Sequence, residues 1–267
     1  IANWVPRIPA VKAALHTTDG PLGLALLGLG VGAAAALLAA GRVVARYGSR
    51  PVTRAAGIAM CVALLGPGLA GNLPALALSL ALFGAASGLM DVAMNAHGSL
   101  VERGYGRPVM ASFHGLWSVG GLVGAVTGGL AARAGWSPAR HFAVAALCLG
   151  VLLVVGTRRL LPASLDVARD GPSDAPGARS GGMRGAEPPA VVAWSRPLLL
   201  LGVVGFSSFF GEGSAHDWSA IYLHDVLGTS PGMAAAAFAA FSLAMASVRF
   251  GGDRLSARFG PVRLVRA

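Results

Sequence analysis

The chain has 267 residues, of which 55% are hydrophobic and 12% are charged, and its mean hydropathy is +0.66. This composition excludes an ordinary soluble domain and is typical of a polytopic membrane protein. A net charge of +10 would indicate a nucleic-acid partner in a soluble protein, but here the basic residues follow the ends of apolar segments. We therefore expect an all-α protein in a lipid bilayer, with no nucleic-acid partner.

Apolar runs of membrane-spanning length alternate with short polar segments along the chain. The segment 158–196 interrupts this alternation, because it is rich in Arg, Pro, Gly and Ser and predicts a flexible linker. The predicted organisation is a first transmembrane half at 1–157, a linker at 158–196 and the start of a second half at 197–267. The predicted helices lie at about 1–15, 19–40, 51–70, 75–97, 109–132, 141–156, 197–223 and 233–248.

Basic residues are distributed unequally between the two sides that this alternation defines. Of the 21 lysines and arginines, only Arg7, Lys12, Arg133 and Arg140 fall on one side. Because cytoplasmic loops carry an excess of Lys and Arg, the other side is predicted to be cytoplasmic, together with the central linker.

A polar phrase recurs at long spacing. GRVVARYGSR at 41–50 is matched by DRLSARFGPV at 253–262, with Arg254 standing 212 residues after Arg42. Both copies follow an apolar segment on the same predicted side, which is typical of parallel repeats in membrane proteins.

The first copy resembles the signature between the second and third helices of the major facilitator superfamily. Gly41, Arg46, Gly48 and Arg50 fit that signature, whereas Ala45 and its counterpart Ala257 replace the usual acid and put its charge-relay gate in doubt. The run DVAMNAHGSLVERGYGRPVMASFHGLWSVGG at 91–121 is similar to the fucose-permease-like branch of the superfamily. The resemblance implies twelve helices in two six-helix halves, of which this chain would be a fragment from the end of helix 1 to the loop after helix 8.

The resemblance also implies that the two polar copies act as cytoplasmic gating loops. The residues expected in these loops are Gly41, Arg42, Arg46, Gly48 and Arg50 in the first copy, and Asp253, Arg254, Arg258 and Gly260 in the second.

Carboxylates inside predicted membrane helices are candidates for function, because a charged side chain there is costly unless it faces a cavity or a partner. Asp91 and Asn95 stand one turn apart on the fourth helix and share a face. Glu212 lies about 22 Å into the seventh helix, where the flanking Gly211 and Gly213 predict a local irregularity. A structural hydrogen bond between helices is the alternative role for Asp91.

Four further residues are expected beside the pathway. Asp217 and Trp218 follow Glu212 toward the external side, where Asp217 has the alternative role of a helix cap. Trp4 stands 214 residues before Trp218 and is a candidate solute contact. Arg7 is either an interfacial anchor or a cation that faces the transport cavity. In the family, helices 1, 4, 7 and 10 line that cavity. Arg7 falls on the first of these helices, Asp91 on the second, and Glu212 and Asp217 on the third.

The expected function is secondary active transport of a small, sugar-like solute across the inner membrane, coupled to protons and carried out by alternating access. We expect a monomer without a cofactor or a metal. Proton-coupled efflux of hydrophobic compounds is the alternative within transporters. Alternatives of another class are a truncated product that does not transport and an intramembrane enzyme, but the sequence carries no HExxH and no Walker A loop.

Overall fold

The computed structural model describes residues 1–106, 109–162, 165 and 196–259, and in these ranges the chain is α-helical without strands. A short 3₁₀ turn, Val5–Arg7, precedes the first helix. The eight helices of the described ranges are α1 (Ile8–Ala14), α2 (Asp19–Tyr47), α3 (Ser49–Ala63, continued by Leu65–Leu69), α4 (Leu73–Tyr105), α5 (Met110–Arg133), α6 (Pro138–Gly156), α7 (Arg196–Ile221) and α8 (Pro231–Phe259). The expected all-α architecture is confirmed, whereas most of the predicted linker lies outside the described residues.

Five of the described helices, α2 to α6, are long and apolar enough to cross a membrane. Large apolar side chains point outward from them, and Leu38 and Leu147 are 83% and 69% exposed. Exposed apolar surface on this scale needs a partner, and a bilayer supplies one for helices of this length. The expectation of a polytopic membrane protein is therefore confirmed.

The helix α2 continues seven residues beyond its predicted end and includes Gly41, Arg42 and Arg46. The prediction that these residues form a loop is wrong, because arginine favours helices and a charged side chain does not end one. The helix ends where Gly48 takes a positive φ of 85°, a conformation that glycine adopts without steric cost. In the second copy, Asp253, Arg254 and Arg258 are likewise helical residues of α8, while Gly260 lies outside the described residues.

Glycines bring α2 and α4 into close contact. A Cβ atom at Gly32 would lie 1.9 Å from the carbonyl oxygen of Ala81, and one at Gly84 would lie 1.9 Å from that of Leu29. Gly28 faces Ala77 in the same way, so the motif GLGVGA at 28–33 packs two helices together.

The side chain of Glu102 connects α4 to the beginning of α5. Its Oε2 atom accepts hydrogen bonds from the backbone N–H groups of Val109 and Met110, at 2.8 and 2.9 Å. The first N–H groups of a helix have no partner within the helix, and the positive end of its dipole favours a carboxylate. Glu102 therefore caps α5 from the preceding helix.

We expect Glu102→Ala to lower the free energy of unfolding by about 1–2 kcal/mol, the usual cost of removing a helix cap. Thermal unfolding of the full-length protein in detergent measures this change. Glu102→Gln is the matched control, because its carbonyl oxygen can still accept both bonds, and it should lose less stability. Equal losses in the two variants would contradict the capping role.

The predicted second half packs against the predicted first half through α8 and α5, which contact each other extensively. Near the arginine-rich end, the ring of Phe250 occupies the space that a Cβ atom at Gly115 would need. At the opposite end, Ile221 of α7 is buried in a core with Trp4, Ile8 and Leu22. The two halves are thus in contact at both ends of the bundle.

Candidate functional site

Charged side chains from the second half meet a hydroxyl of the first half between α5, α7 and α8. The Arg249 guanidinium of α8 lies 3.6 Å from the Glu212 carboxylate of α7 and donates a 2.8 Å hydrogen bond to the Ser118 hydroxyl of α5. Ser118 is buried and donates its own proton to the carbonyl of His114 at 3.3 Å, which directs a lone pair toward Arg249. We call Ser118, Glu212 and Arg249 the inter-half cluster.

The members of the inter-half cluster lie well inside their helices, away from the helix ends. Glu212 stands 16 residues after the start of α7, about 24 Å along the helix axis. The helix is regular through Gly211 and Gly213, so the predicted irregularity at Glu212 is wrong. No neighbouring element lies within 4 Å of where a Cβ atom at Gly211 or Gly213 would stand, so nothing crowds the helix there. The departure from α-helical geometry comes later, in a π-helical turn at Tyr222–Val226.

A cavity of about 320 Å³ adjoins the inter-half cluster. Its polar lining includes Asn3 and Ser242 beside the cluster itself, and its apolar lining includes Met60, Leu116, Trp117, Phe241 and Met245. Hydroxyl, amide, carboxylate and guanidinium groups thus share one apolar space, which is the usual composition of a small-molecule site.

Asp91 and Asn95 lie apart from this cavity on α4. The Asn95 amide donates a 3.1 Å hydrogen bond to the Asp91 carboxylate, as the one-turn spacing predicts. Asp91 is exposed and Asn95 is half-buried. The structure therefore brings these two residues together but does not bring them to Glu212.

The remaining predicted residues occupy other surroundings. Trp4 is fully buried against Phe142, with ring centroids 6.2 Å apart. Arg7 is 2% exposed and donates to the Trp136 carbonyl oxygen rather than reaching the interface. The Trp218 ring lies over Gly23 of α2, 3.5 Å from where a Cβ atom would stand. Asp217 belongs to α7, and its side chain lies outside the described part of the chain.

A second set of charges joins the two halves at the end opposite the arginine-rich one. Lys12, at the end of α1, pairs with Asp19 at 2.5 Å and also with Asp225, which follows α7. The His224 Nδ1 atom lies 2.7 Å from the other oxygen of Asp225. We call Lys12, Asp19 and Asp225 the external ion cluster, after the predicted orientation.

The hydrogen bond from Lys12, with a further one from His224, holds the pKa of the Asp225 carboxyl below its usual range. A depressed pKa means that the pairing contributes fully above the ordinary pKa of aspartate and is lost only as the pH falls through the lowered value. The external ion cluster is therefore intact at neutral and mildly acidic pH.

At the arginine-rich end, two arginines of α3 bind the end of α6. Arg54 donates to the Thr157 carbonyl at 2.6 Å and Arg50 donates to the Arg158 carbonyl at 3.3 Å. The last carbonyls of a helix lack internal partners, so these guanidinium groups stabilise that end. Arg50, one of the predicted gating residues, therefore binds the end of α6, which belongs to the same predicted half as Arg50.

Comparison with known proteins decides the family. The chain matches the sequence profile described as Major Facilitator Superfamily over residues 3–267. It belongs to the major facilitator superfamily. This confirms the expected fold and family, and the family consists of transporters, which agrees with the expectation that the chain is not an enzyme.

Several curated relatives are similar over nearly the whole chain. It is 39% identical over 267 residues to a protein of Sinorhizobium fredii (strain NBRC 101917 / NGR234) named uncharacterized transporter y4wD. It is 35% identical over 258 residues to an uncharacterized MFS-type transporter of Yersinia pestis, and 30% identical over 261 residues to the membrane protein MosC of Rhizobium meliloti. These alignments cover 100%, 96% and 97% of the chain but only 66%, 62% and 59% of the relatives.

Sequence reasoning missed Arg249 and the external ion cluster. Arg249 follows the predicted end of the eighth helix at residue 248, whereas α8 extends to Phe259. One sequence feature could have indicated its place. Arg249 stands four residues before Asp253, about one helical turn, so Arg249 lies inside the helix if the helix continues to Asp253. Lys12 and Asp225 are 213 residues apart, and the sequence offers no pattern that pairs them.

Proposed function

We propose that this superfamily chain is part of a secondary transporter that moves a small solute by alternating access, with protons as the coupling ion. The inter-half cluster carries the proposal. It places a carboxylate and a guanidinium of α7 and α8 against a hydroxyl of α5, well inside these helices and beside a cavity. Ionisable groups in such a place are costly to maintain and mark solute or proton pathways.

Alternating access follows from how the two halves meet. The cluster spans the surface between 1–157 and 197–267, so a rocking motion of one half against the other would separate Arg249 from Ser118. A solute or a proton that changes the interactions of Glu212 and Arg249 then shifts the balance between the two arrangements. This supports a mechanism in which binding in the cavity is linked to the movement of the halves.

Contacts bridge the two predicted halves at the end that we propose to be external. Lys12 and Asp225 join the halves there, and Trp218 and Ile221 of α7 contact the first half below them. Opening toward the outside must break these contacts. We propose that the external ion cluster is the external gate, in addition to the predicted gates at the arginine-rich end.

Glu212 is the proposed proton carrier. A proton on its carboxylate removes the negative charge that faces Arg249, which weakens the attraction at 3.6 Å and leaves the guanidinium free to bind a solute. Asp91, held by Asn95 on α4, is the second candidate for this role. The two carboxylates stand on different helices and are tested separately by neutralising each one.

The proposed solute is small and rich in hydroxyl groups, such as a sugar. Asn3, Ser118 and Ser242 offer an amide and two hydroxyls to the cavity, and Trp117 offers an aromatic face. Such groups orient a polar solute by hydrogen bonds while the apolar wall excludes water. Asn95 and Trp218, which lie outside this lining, remain candidates for contacts elsewhere on the pathway.

Efflux of hydrophobic compounds is the second candidate function, and the cavity wall favours it. Met60, Leu116, Phe241 and Met245 give that wall a predominantly apolar character, and flexible methionines adapt to ligands of different shape. The two functions differ in the direction of proton movement and in the class of solute that evokes it. For either one we propose a monomer in the inner membrane, with the segment 158–196 in the cytoplasm.

Cross-linking the external gate tests the mechanism. In the full-length protein with its other cysteines replaced, Lys12→Cys and Asp225→Cys are combined and joined by a short bifunctional maleimide. We expect solute uptake into vesicles to fall to the background rate after cross-linking, because the halves can no longer separate at that end.

The two single cysteine variants, treated with the same reagent, are the controls and should keep transporting. They also lack the ion pair, so any loss that they show measures the pairing rather than the cross-link. Transport at an unchanged rate by the cross-linked double variant would contradict alternating access through this gate.

A further inference from the structure

Two polar residues of α8 face the central cavity from one side of the helix. Ser242 and Arg249 stand seven residues apart, which is two helical turns, and both line the cavity of about 320 Å³. Met245, about one turn before Arg249, lines it as well. The wall that α8 contributes thus carries a guanidinium and a hydroxyl, with an apolar side chain between them in the sequence.

The neighbouring helix α5 meets these two residues at successive turns. The Ser118 hydroxyl accepts a 2.8 Å hydrogen bond from the Arg249 guanidinium. Three residues later, about 4.5 Å along the axis, a Cβ atom at Gly121 would lie 3.1 Å from the Ser242 hydroxyl oxygen. Ser118 and Gly121 also line the cavity. Contacts between the two helices therefore place the charge at one level of the cavity and the Ser242 hydroxyl at the next.

Asn3 supplies a further polar group, one more turn along α5. A Cβ atom at Gly124 would lie 3.2 Å from the Asn3 backbone nitrogen, and Asn3 lines the cavity. The positions of α5 that meet Arg249 and Asn3 are six residues, or about 9 Å, apart. The cavity volume is at the lower end of the usual range for small-molecule sites, about 300–1,000 Å³. The space therefore suits one small solute with an ionic group at one end and hydroxyl groups along the rest.

The charges of the inter-half cluster indicate which ionic group fits. While Glu212 is ionised, its carboxylate balances the Arg249 guanidinium at 3.6 Å, which is longer than the usual 2.7–2.9 Å of a hydrogen-bonded ion pair. When Glu212 takes up a proton, Arg249 keeps a positive charge that the apolar wall disfavours. One negative charge on the solute restores the balance, whereas a cationic solute is repelled. A phosphate ester would add close to two negative charges and leave an excess.

We propose that the transported solute is a hydroxy acid of sugar size, whose carboxylate binds Arg249 in place of the ionised Glu212 carboxylate. A planar guanidinium binds a carboxylate through two parallel hydrogen bonds, and the Ser242 hydroxyl and the Asn3 amide receive the solute hydroxyls. One proton and one monoanion then cross together, so the loaded protein moves no net charge. This inference rests on the proposed proton coupling at Glu212 and adds the class of solute.

The test compares sugars that differ in charge, using the full-length protein in right-side-out vesicles under a fixed pH gradient. The probes are glucose, galactose, their uronates, gluconate and glucosamine. We expect at least one of the acids to enter with a half-saturating concentration about tenfold or more below that of its neutral parent, as a charged hydrogen bond supplies. A membrane potential imposed with potassium and valinomycin should leave the uptake of that acid unchanged.

Arg249→Gln is expected to abolish the preference for the acid over its neutral parent. Arg140→Gln is the matched control, because Arg140 is an exposed arginine that stacks on the Trp136 ring, 4.4 Å from its centroid, and it should keep the preference. If Arg249→Gln does not reach the membrane, Arg249→Lys decides, since it keeps the charge but loses the two parallel bonds and should weaken the preference.

The possible outcomes separate this inference from the proposed function. Proton-coupled uptake that favours neutral sugars or glucosamine would overturn the hydroxy acid while leaving the transporter proposal in place. A preference for the acid that survives in the Arg249 variants would also overturn it. If no probe evokes proton-coupled uptake, the proposed function fails, and binding of the same probes to the purified protein, read as a shift of its unfolding midpoint, decides the inference. Absence of an Arg249-dependent shift with every acid would then contradict it.

Discussion

Replacing Glu212 by Gln is expected to abolish proton-driven accumulation of the solute while leaving exchange of solute across the membrane intact. Gln keeps the size and hydrogen-bonding capacity of the side chain but cannot carry a proton between the two sides. The Arg249 guanidinium, 3.6 Å from the Glu212 carboxylate and bound to Ser118, would then remain permanently without its counter-charge. Loss of a group that transfers protons typically lowers a rate by about 10²–10⁴-fold, and we expect the coupled rate to fall within that range.

The measurement is solute uptake by the full-length protein in vesicles, with and without an imposed pH gradient, alongside solute exchange at equal pH. Asp91→Asn is the matched comparison, since it neutralises a carboxylate that is exposed and held by Asn95. Full response to the pH gradient in Glu212→Gln, together with its loss in Asp91→Asn, would assign the proton to α4 instead. A normal response in both variants would contradict proton coupling by either carboxylate.

The Gly32→Ala substitution is expected to prevent stable packing of α2 against α4. An added Cβ atom would lie 1.9 Å from the Ala81 carbonyl oxygen and 2.9 Å from its Cα, both of which are backbone atoms that cannot turn aside. The two helices must move apart, which removes contacts along their shared surface. Overpacking of a tight core costs about 1–3 kcal/mol or more, and this site belongs at the upper end of that range.

Gly30→Ala is the matched control on the same helix, because nothing lies within 4 Å of a Cβ atom at Gly30. Alanine favours helices by about 1 kcal/mol over glycine, so this variant should be neutral or slightly stabilised. The yield of monodisperse full-length protein in detergent and its thermal unfolding midpoint measure both effects. Similar behaviour of the two variants would mean that the α2–α4 approach does not limit stability.

Much of the fold could be predicted because short stretches of sequence determine where its helices form. Apolar runs long enough to cross a bilayer specify helices, and seven of the eight predicted segments begin within three residues of the observed helices. The ends were harder to predict, since Arg42 and Arg46 continue α2 past its apolar part until Gly48 stops it. Charge marks where a helix leaves the membrane, while backbone conformation marks where it ends.

The candidate site was predictable in part. Glu212 could be identified because a carboxylate inside an apolar segment is unusual, but its partner Arg249 could be assigned only once the full length of α8 was known. Trp4 and Arg7 were expected beside the pathway, yet both are buried, Trp4 against Phe142 and Arg7 on the Trp136 carbonyl, where long-range packing rather than sequence pattern places them. Pairings such as Lys12 with Asp225 depend on how the halves dock, which no local pattern encodes.

The most direct measurement of the proposed function is proton movement evoked by solutes in right-side-out vesicles that contain the full-length protein. A pH-sensitive dye inside the vesicles records the response to a panel of monosaccharides and then to lipophilic drugs. We predict that at least one sugar evokes proton entry and that Glu212→Gln abolishes this response. Silence with every sugar, combined with proton movement in the opposite direction on addition of the drugs, would contradict this account and establish efflux instead.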